Sequence, residues 1–530
     1  MIDTKALRQK ILDLAIRGKL VPQDPDDEPA SVLLERIRQQ KQQMVKEGKL
    51  KPKDIKNDSV IFVGEDNLHY EKFSNGSVKC IEDEIPFDIP GSWAWVRISS
   101  ICVINPKNDL NDDTEVSFIP MPHICEGYEN RHSFDIRKWS EIKTGYTHFA
   151  ENDIGIAKIT PCFENRKSVV FHNLKNGAGA GTTELFILRP IISVEPDYLL
   201  WIAKTDVFIN GGVETFSAAV GQQRVDRDFI VNYLIPLPPV NEQKSIINKI
   251  NVAFSVINTV DQNKADLANT IFYAKSKILD LAIRGQLIPQ DPNDEPASVL
   301  LERIRAEKEE LIKQGKIKRD KKESVIFRGE DNSYYLNNGQ TTVDINDDLP
   351  FDIPDSWRWV RLKDVFIINP RNKLDDDLDV SFIPMPLIDD GYSGKHATEV
   401  RHWKEVKNGF THFAEGDVGV AKITPCFENR KSTVFENLTN GYGAGTTELH
   451  VLRPFGNNIF VQYLLAYIKS DYFVEKGKQT FTGDVGQQRI SKAYVESAYF
   501  PLPPVKEQER IVQQIGIIFE FLNMIMDALS

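Results

Sequence analysis

The longest hydrophobic pattern in the chain lies within residues 236–292. Apolar residues there alternate spacings of four and three over about five heptads, the period of a coiled-coil seam. The seam consists of Ile246, Ile250, Ala253, Ile257, Val260, Lys264, Leu267, Ile271, Ala274, Ile278 and Leu281, with only Lys264 interrupting it. The pattern predicts one helix over about residues 241–284, roughly 65 Å long at about 1.5 Å per residue.

Both ends of the chain repeat part of this segment. Residues 501–530 resemble its first half and residues 1–25 its second half, so the two ends joined together would form one more copy. The seam positions kept in these copies are Ile511, Ile515, Ile518, Leu522 and Ile525, and Leu7, Ile11 and Leu14. Because an apolar stripe of this kind must be buried, we expect both terminal segments to pack against the central helix.

A second pattern, of short β-rich runs broken by Gly, Asn and Pro, fills the chain between the helical segments. It also repeats. KITPCFENRKS is identical at 158–168 and 422–432, GAGTTEL at 179–185 and 443–449, and VGQQR at 220–224 and 485–489. The chain therefore contains two related halves with similar surfaces.

The two patterns together predict an α+β fold. Two repeated globular domains are separated by long antiparallel coiled-coil helices and related by an internal pseudo-twofold axis. The predicted regions are an N-terminal helical region (1–58), a first globular domain (59–235), a central helical spacer (236–323), a second globular domain (324–500) and a C-terminal helix (501–530).

Charged helices in the repeat end at Gly48 and Gly315, and each is followed by a lysine-rich linker, residues 49–56 and 316–322. A solvated connector is the simpler interpretation of these linkers, and an arm that contacts phosphates is the alternative.

Composition restricts the partners and the compartment. The net charge of −12 opposes unaided binding to nucleic acid, which attracts proteins chiefly through its phosphates. The five cysteines form no CxxC pair, so free thiols in a reducing compartment are predicted. No apolar run approaches about 18 residues, and we expect a soluble cytoplasmic protein.

The sequence offers little that is typical of an enzyme. It has neither the GxxxxGK[ST] loop for nucleoside triphosphates nor the [DN]PP[FY] tetrapeptide of amino-methyltransferases,. The glycine string at 177–183 lacks the GxGxxG spacing and is interpreted as a tight turn between strands. The ExK triplets at Glu141 and Glu405 lack the preceding Pro-Asp of a nuclease site. We predict no catalytic, cofactor-binding or metal site.

Histidine and tryptophan recur at equivalent places in the two halves. His148 and His412 lack ligand partners at metal spacing, so structural roles are predicted. The tryptophans Trp93, Trp95, Trp357 and Trp359 are interpreted as core residues rather than as stacking platforms for bases.

Hydrogen-bonding side chains crowd the identical segments. Arg and Lys suit guanine O6 and N7, Asn and Gln suit adenine N6 and N7, and Ser or Thr can bind phosphate. The candidate DNA-binding residues are Lys158, Thr160, Asn165, Arg166, Lys167, Ser168, Gln222, Gln223 and Arg224, with Lys422, Thr424, Asn429, Arg430, Lys431, Ser432, Gln487, Gln488 and Arg489. The alternative is that ENRKS is only a polar hairpin turn and that shared folding explains the identity.

PLPPVNEQ and PLPPVKEQ, the helical repeat after them, WVR before each β-rich domain and the GQQR segment resemble the specificity subunit of type I restriction-modification systems. The resemblance covers essentially the whole chain. It implies two target-recognition domains, each reading one half of a bipartite DNA sequence across an unread gap. It also implies two modification subunits that bind S-adenosylmethionine and methylate adenine, and restriction subunits that use ATP and Mg to translocate and cut DNA.

The repeat itself adds a prediction about the target. A tandem repeat closed by its own termini has an approximate twofold axis, and twofold proteins match twofold sites. We therefore predict related half-sites on opposite strands, with differences where the domains diverge, at 124–139 and 388–403. If the central helix sets the gap, four inserted residues would lengthen it by roughly one or two base pairs of about 3.4 Å.

Two other classes of function remain. A coiled-coil scaffold that binds proteins and no DNA would explain the helices and the repeat. An enzyme with an unfamiliar site is disfavoured by the missing motifs.

Overall fold

The structure is a computed structural model that describes residues 3–52, 55, 58–217, 223–319, 324–456, 458–484 and 487–529. The chain divides into two compact units, called unit 1 (up to Asn263) and unit 2 (from Lys264). Elements are numbered in chain order, and the boundary between the units falls inside one long helix, α8 (Val240–Ile283).

Unit 1 combines helices with short strands. Its elements before α8 are α1 (Thr4–Ile16), α2 (Ala30–Lys46), β1 (Ser59–Val63), β2 (His69–Phe73), β3 (Val78–Cys80), β4 (Ala94–Arg97), α3 (Ile98–Ile101), β5 (Cys102–Ile104), β6 (Glu115–Ile119), β7 (Asp135–Lys138), α4 (Trp139–Ile142), β8 (Thr147–Ala150), β9 (Ile154–Ala157), β10 (Ser168–Val170), β11 (Ala178–Gly181), β12 (Leu185–Pro190), α5 (Pro196–Ala203), α6 (Asp206–Glu214), α7 (Arg227–Asn232) and β13 (Leu234–Leu237).

Unit 2 repeats this order after the second half of α8. Its elements are α9 (Ala297–Lys313), β14 (Val325–Arg328), β15 (Tyr334–Asn337), β16 (Thr342–Asp344), β17 (Arg358–Arg361), α10 (Leu362–Val365), β18 (Phe366–Ile368), β19 (Asp379–Ile383), β20 (Glu399–His402), α11 (Trp403–Val406), β21 (Thr411–Ala414), β22 (Val418–Ala421), β23 (Ser432–Val434), β24 (Tyr442–Gly445), β25 (Leu449–Pro454), α12 (Val461–Ile468), α13 (Asp471–Lys478), α14 (Lys492–Ser497), β26 (Tyr499–Leu502) and α15 (Val505–Leu529).

The sheets have the same topology in both units. Unit 1 has two four-stranded sheets, in the orders β10-β9-β12-β5 and β7-β6-β11-β8, a three-stranded sheet β1-β2-β3 and the pair β13-β4. Unit 2 repeats these as β23-β22-β25-β18, β20-β19-β24-β21, β14-β15-β16 and β17-β26. The predicted fold class, α+β with two repeated sheet-based domains, is confirmed.

The glycine string forms a strand. The prediction of a tight turn was wrong for Ala178–Gly181, because β11 lies inside a sheet, parallel to β6 and antiparallel to β8. Strand β6 approaches so closely that a Cβ atom on Gly181 would lie 2.1 Å from the Ile119 carbonyl oxygen. Gly445 in β24 has the same relation to Ile383, at 2.2 Å. Glycine is required here for close approach of two backbones.

The PLPPxxEQ motif fixes the start of the spacer helix to the domain before it. Glu242 in the first turn of α8 accepts a hydrogen bond of 2.8 Å from Trp93 Nε1. The Gln243 side chain accepts from the Glu195 backbone N–H (2.9 Å) and donates to the Pro238 carbonyl (2.9 Å). Gln508 makes the corresponding bonds in unit 2, at 3.0 and 2.9 Å.

All four predicted core tryptophans are buried, which confirms the prediction. Trp93 and Trp357 join the main apolar cores of their units, where helices of the spacer region pack on a four-stranded sheet. In unit 1 this core includes Leu12, Leu33, Ile154, Leu200 and Ile250.

The terminal helices pack against α8 as predicted, each within its own unit. Arg8 in α1 donates to Asn258 Oδ1 (2.6 Å) and forms an ion pair with Asp261 (2.9 Å). In unit 2, Lys275 donates to Asn523 in α15 (2.6 Å).

The seam prediction was only partly correct. In α8, the predicted seam positions Ile246, Ile250, Ile257 and Ile271 are buried. In α1, the predicted position Leu7 is 42% exposed. The residues of α1 that are buried are Arg8, Leu12, Ala15 and Ile16. The end of α8 differs from the prediction in the same way. The predicted positions Ile278 and Leu281 are only partly buried, and the buried residues are Leu279, Ala282 and Ile283. In both helices the buried side joins the apolar core of its unit, which contains strand residues as well as helix residues.

Helix α15 presents apolar residues to solvent beyond its first turns, including Ile517, Phe521 and Met524. Among the described residues, its segment Val505–Ala528 is long enough and apolar enough to cross a membrane, by length and composition alone. One such helix is weak evidence for a span, because helices of soluble proteins meet the same criterion.

Candidate nucleic-acid interface

Three sequence segments that are far apart in unit 1 meet at the end of the sheet that contains β9 and β12. The Lys158 backbone N–H donates to the Glu184 carbonyl (3.0 Å), and the Thr160 N–H donates to the Gln223 carbonyl (3.0 Å). The Val225 N–H in turn donates to the Lys158 carbonyl (2.9 Å). These bonds hold the KIT, TTE and QQR segments side by side.

A paired Arg and Glu lie at the centre of this cluster. Arg224 donates from Nε and Nη2 to the two carboxylate oxygens of Glu184, both at 2.9 Å. The Arg224 side chain is 40% exposed and that of Glu184 is 24% exposed. The hydrogen bonds from Arg224 lower the pKa of Glu184, and the charge of Lys158 adds to the effect. The carboxylate is therefore ionised at neutral pH.

Unit 2 builds the same cluster from equivalent residues. Arg489 donates from Nε and Nη2 to Glu448 at 2.9 Å each, and their side chains are 39% and 26% exposed. The Lys422 N–H donates to the Glu448 carbonyl (2.9 Å), and the Thr424 N–H to the Gln488 carbonyl (2.9 Å). We call these two sets the Arg-Glu clusters of units 1 and 2.

The chemistry of each Arg-Glu cluster matches base edges. Arginine N–H groups can donate to guanine O6 and N7, and a carboxylate can accept from cytosine N4. Arg489 uses Nε and Nη2 on Glu448, and its Nη1 donates to the Gln487 carbonyl (2.8 Å), so two of its five N–H donors remain for a base. A half-exposed Arg that is already held in plane by a carboxylate loses little conformational freedom when it binds such an edge.

One buried neighbour distinguishes the two clusters. Lys158 Nζ lies 5.6 Å from the centroid of the Phe186 ring, on β12. The equivalent residue beside Lys422 is His450, which is buried and has Nε2 3.3 Å from the Ile490 carbonyl oxygen. Burial lowers the pKa of His450, and the charge of Lys422 lowers it further.

The predicted arginines of the ENRKS segment have internal partners. Arg166 forms an ion pair with Asp206 and donates from Nε to the Lys204 carbonyl (3.2 Å), with its guanidinium 5.5 Å from the Tyr128 ring centroid. Its side chain is only 12% exposed. A role of Arg166 in contacting DNA stays a prediction, and its position in the structure indicates a role in packing.

Arg430 is placed in the same way in unit 2. It forms an ion pair with Asp471 and donates from Nε to the Lys469 carbonyl (3.0 Å). Its guanidinium lies 5.2 Å from the Tyr392 ring and 5.3 Å from that of Phe272, which belongs to α8.

The other predicted residues of ENRKS also contact protein. Lys431 donates to the Ile388 carbonyl (2.7 Å), and the buried Ser432 donates to the Arg430 carbonyl (3.2 Å). Their unit 1 counterparts, Lys167 and Ser168, make contacts of 3.4 Å to the Met121 and Arg166 carbonyls. The segment thus forms a turn that is fastened to the domain, and a role of these residues in contacting DNA stays a prediction.

Asparagine and glutamine occupy intermediate positions. Asn165 is exposed and donates to Glu126 (3.3 Å), while the Asn429 carbonyl accepts from the Gly391 N–H (2.7 Å). Gln487 is exposed, and the Gln488 N–H donates to Thr424 Oγ1 (3.1 Å). The predicted Gln222 lies outside the described residues.

The structure therefore divides the predicted site residues into two groups. Those brought together at one surface are Lys158, Thr160, Gln223 and Arg224 in unit 1, and Lys422, Thr424, Gln487, Gln488 and Arg489 in unit 2. The ENRKS residues lie on the turn beside this surface.

Two pairs of residues in or beside the site were missed in the sequence. Glu184 and Glu448 belong to the GAGTTEL segments, which are identical in the two halves. This identity could have marked both glutamates as candidate site residues. Lys204 and Lys469, each directly after an apolar helix, are buried, and burial lowers the pKa of each to about 7.

Among the described residues, no group of three or more His, Cys, Asp or Glu side chains could hold a metal ion. His148 accepts through Nδ1 from the Asn108 N–H (3.2 Å), and its Nε2 lies 2.9 Å from the Lys143 carbonyl. His412 makes the same contacts with Asn372 and Lys407, at 3.2 and 3.0 Å. The predicted structural role of both histidines is confirmed.

Comparison with known proteins agrees with this architecture. The chain is 33% identical to the type I restriction enzyme EcoAI specificity subunit of Escherichia coli, over 98% of this chain and 89% of that protein. It belongs to the family of type I restriction enzyme specificity subunits. The EcoEI specificity subunit of Escherichia coli is 38% identical over 68% of this chain and 61% of its own length. The model of the type I restriction modification DNA specificity domain matches residues 354–526 of this specificity subunit.

A solved structure supports the fold of the specificity subunit. One chain from a study of complex assembly and conformational transition of the type I R-M system superposes with a TM-score of 0.56 and 17% identity. The match covers 84% of this chain and 94% of that chain.

Proposed function

We propose that this specificity subunit binds double-stranded DNA and that each unit reads one half of a bipartite target. It is a non-catalytic subunit of a cytoplasmic complex. The observation that carries the proposal is that both units place the same Arg-Glu cluster, half exposed, at equivalent points of the fold. Membership of the specificity subunit family supports DNA as the ligand.

The partners follow from the family and from the charge. Two modification subunits would supply S-adenosylmethionine and methylate adenine, and restriction subunits would supply ATP- and Mg-dependent translocation and cleavage. No cofactor is assigned to this chain. With a net charge of −12, the chain gains affinity for DNA when partner subunits add positive surface around the duplex.

The proposal is tested by co-expressing the chain with its modification subunits and mapping methylated adenines by sequencing. A bipartite motif with two specified parts and a fixed unspecified gap supports it. A gel shift of the purified complex on that duplex should be specific. A protein-binding scaffold predicts no motif and no shift, and either result would contradict the proposal.

A substitution in one cluster provides the residue-level test. Arg224→Gln should cost about 1 to 3 kcal/mol of discrimination at one half-site, because it removes the guanidinium from the surface of the cluster. Arg36→Gln is the matched control, since Arg36 is a half-exposed arginine on α2 that also pairs with a carboxylate, Glu28. The control should bind the specific duplex as the unaltered complex does.

A further inference from the structure

We propose that the small three-stranded sheet of each unit docks a basic, apolar segment of a partner protein. The small sheets are β1-β2-β3 in unit 1 and β14-β15-β16 in unit 2. Each has an apolar outer face, a cavity beside its first strand and an acidic rim. These surfaces share no residue with the Arg-Glu clusters, so the inference goes beyond the reading of DNA.

The outer face of the small sheet in unit 1 is apolar and open to solvent. Phe62 lies opposite Tyr70, and Val60 lies opposite Lys72, which in turn lies opposite Val78 of β3. Residues that lie directly opposite each other share one face of a sheet. This face is turned to solvent, because Val60, Phe62 and Val78 are 37%, 41% and 52% exposed. The Phe62 and Tyr70 rings stack on it with their centroids 5.9 Å apart.

Unit 2 repeats this face with equivalent residues. Phe327 lies opposite Tyr335, and their ring centroids are 5.7 Å apart. Phe327 is 40% exposed, and Val325, two residues earlier on the same face, is 41% exposed. A cross-strand aromatic pair stabilises its own hairpin, but it does not account for the exposed valine beside it. Contiguous apolar surface of this kind is typical of protein interaction sites.

A small cavity lies beside the first strand of each small sheet, and we call it the edge cavity. Its volume is about 100 Å³ in unit 1 and about 210 Å³ in unit 2. Sites for small molecules usually occupy about 300 to 1,000 Å³, so each edge cavity fits one apolar side chain better than a cofactor. Equivalent apolar residues line both cavities, namely Leu34, Ile61, Trp95 and Val96 in unit 1 and Leu301, Ile326, Trp359 and Val360 in unit 2.

A buried donor belongs to the wall of each edge cavity. Trp95 Nε1 and Trp359 Nε1 have no hydrogen-bond partner among the described residues, and the two residues are 3% and 1% exposed. A buried indole N–H ordinarily has an acceptor, and an inserted segment would supply one. Val60 and Val325 belong both to the cavity wall and to the outer face. The cavity and the face therefore form one continuous surface in each unit.

Charge distinguishes a protein from nucleic acid as the partner. Residues 59–84 contain six acidic and two basic side chains, and residues 324–348 contain five acidic and one basic. In both units a Glu-Asp pair is exposed in the turn between the first two strands, Glu65 and Asp66 in unit 1 and Glu330 and Asp331 in unit 2. An acidic rim repels phosphates and attracts Lys and Arg. The segment that fits is therefore basic as well as apolar.

The test is photo-crosslinking in the purified complex. The full chain carries p-benzoylphenylalanine in place of Phe62 or of Phe327, is assembled with its modification and restriction subunits, and is irradiated with and without duplex DNA. Mass spectrometry should identify one partner segment rich in Lys and Arg that is reached from both positions. The control places the crosslinker at Val207, which is 43% exposed on α6, and should not reach that segment.

Three results would overturn the inference. They are the lack of any crosslink to a protein, a crosslink to DNA, and a crosslink to a segment without basic residues. Capture of the same segment from Val207 would show unspecific contact and would also overturn it.

A charge reversal tests the acidic rim. Glu65→Lys, in the chain with the crosslinker at position 62, should lower the yield of the crosslink at least about threefold, because it replaces attraction by repulsion. Glu214→Lys, which alters an exposed acidic residue of α6, should leave the yield unchanged. Equal yields from the two variants, at matched melting temperatures, would overturn the inference.

Discussion

Lys204 donates from its buried ammonium group to the backbone carbonyl of Arg166 at 3.0 Å, and to that of Gly127 at 2.7 Å. Lys469 does the same for Arg430 and Gly391, at 2.8 and 2.7 Å. Each lysine thus fastens the ENRKS turn to the end of an apolar helix. A lysine can occupy this buried position because its ammonium group donates hydrogen bonds to two backbone carbonyls, and these bonds offset the cost of removing the lysine from water.

These lysines predict a rise in stability with pH. Their folded-state pKa of about 7 lies below the ordinary value of 10.5 because burial disfavours the charge. Between these values the unfolded chain binds more protons, so the free energy of unfolding increases as pH rises. From pH 7 to 8.5 the increase should be on the order of 1 to 2 kcal/mol per lysine.

Urea unfolding at several pH values checks this prediction. Lys204→Met should reduce the pH dependence of unit 1 and Lys469→Met that of unit 2. Lys244→Met, which alters an exposed lysine, should leave the dependence unchanged. A stability that does not vary between pH 7 and 8.5 would contradict the depressed pKa values.

Replacing Arg166 is expected to lower the folding stability of unit 1. Arg166→Ala removes an ion pair with Asp206 and a hydrogen bond to the Lys204 carbonyl. A hydrogen bond from a charged group contributes about 1.5 to 3 kcal/mol, so unit 1 should lose about that much stability. Differential scanning calorimetry measures the loss. An unchanged melting temperature combined with relaxed base specificity would show instead that Arg166 reads DNA.

The arginines show where sequence reasoning reached its limit. Identity between the halves identified both Arg166 and Arg224, but identity cannot distinguish a guanidinium enclosed by its domain from one at the surface. That distinction depends on Asp206 and Tyr128, which come together with Arg166 only in the folded unit. Apolar spacing correctly predicted where the helices lie, because it indicates an apolar stripe along one side of each. Which residues of that side are buried depends on packing in the folded unit, and spacing alone does not give this.

Adding one methyl group at Gly181 is expected to lower the folding stability of unit 1 strongly. In Gly181→Ala the new Cβ would meet the Ile119 carbonyl at 2.1 Å, so the strands must separate and the domain should lose about 1 to 3 kcal/mol. Gly445→Ala should do the same in unit 2. The control is Gly516→Ala in α15, where no atom of the described residues, apart from the backbone of the helix itself, lies within 4 Å of the added Cβ. It should gain about 1 kcal/mol through higher helix propensity. Melting curves of the three variants decide the matter.

Replacing lysines of the lysine-rich linker is expected to lower the affinity for DNA without changing the sequence preference. Lys316 and Lys318 are exposed, and replacing both with Ala should weaken specific and non-specific duplexes equally. The slope of log K against log salt should become shallower by about one unit for each phosphate that a lysine no longer neutralises. Titrations of the complex at several salt concentrations measure it. Unchanged slopes would leave the linker as a solvated connector.

Helix α8 gives its first half to the core of unit 1, through Ile246 and Ile250, and its second half to the core of unit 2, through Leu279 and Ala282. Between them, residues 258–270 include no buried side chain. A genetic crossover within the codons of this stretch would therefore transfer an entire unit without opening either core. If each unit reads one half-site, as proposed, new combinations of half-sites would arise in a single recombination event, with no need for a series of point mutations that each risk unfolding the protein.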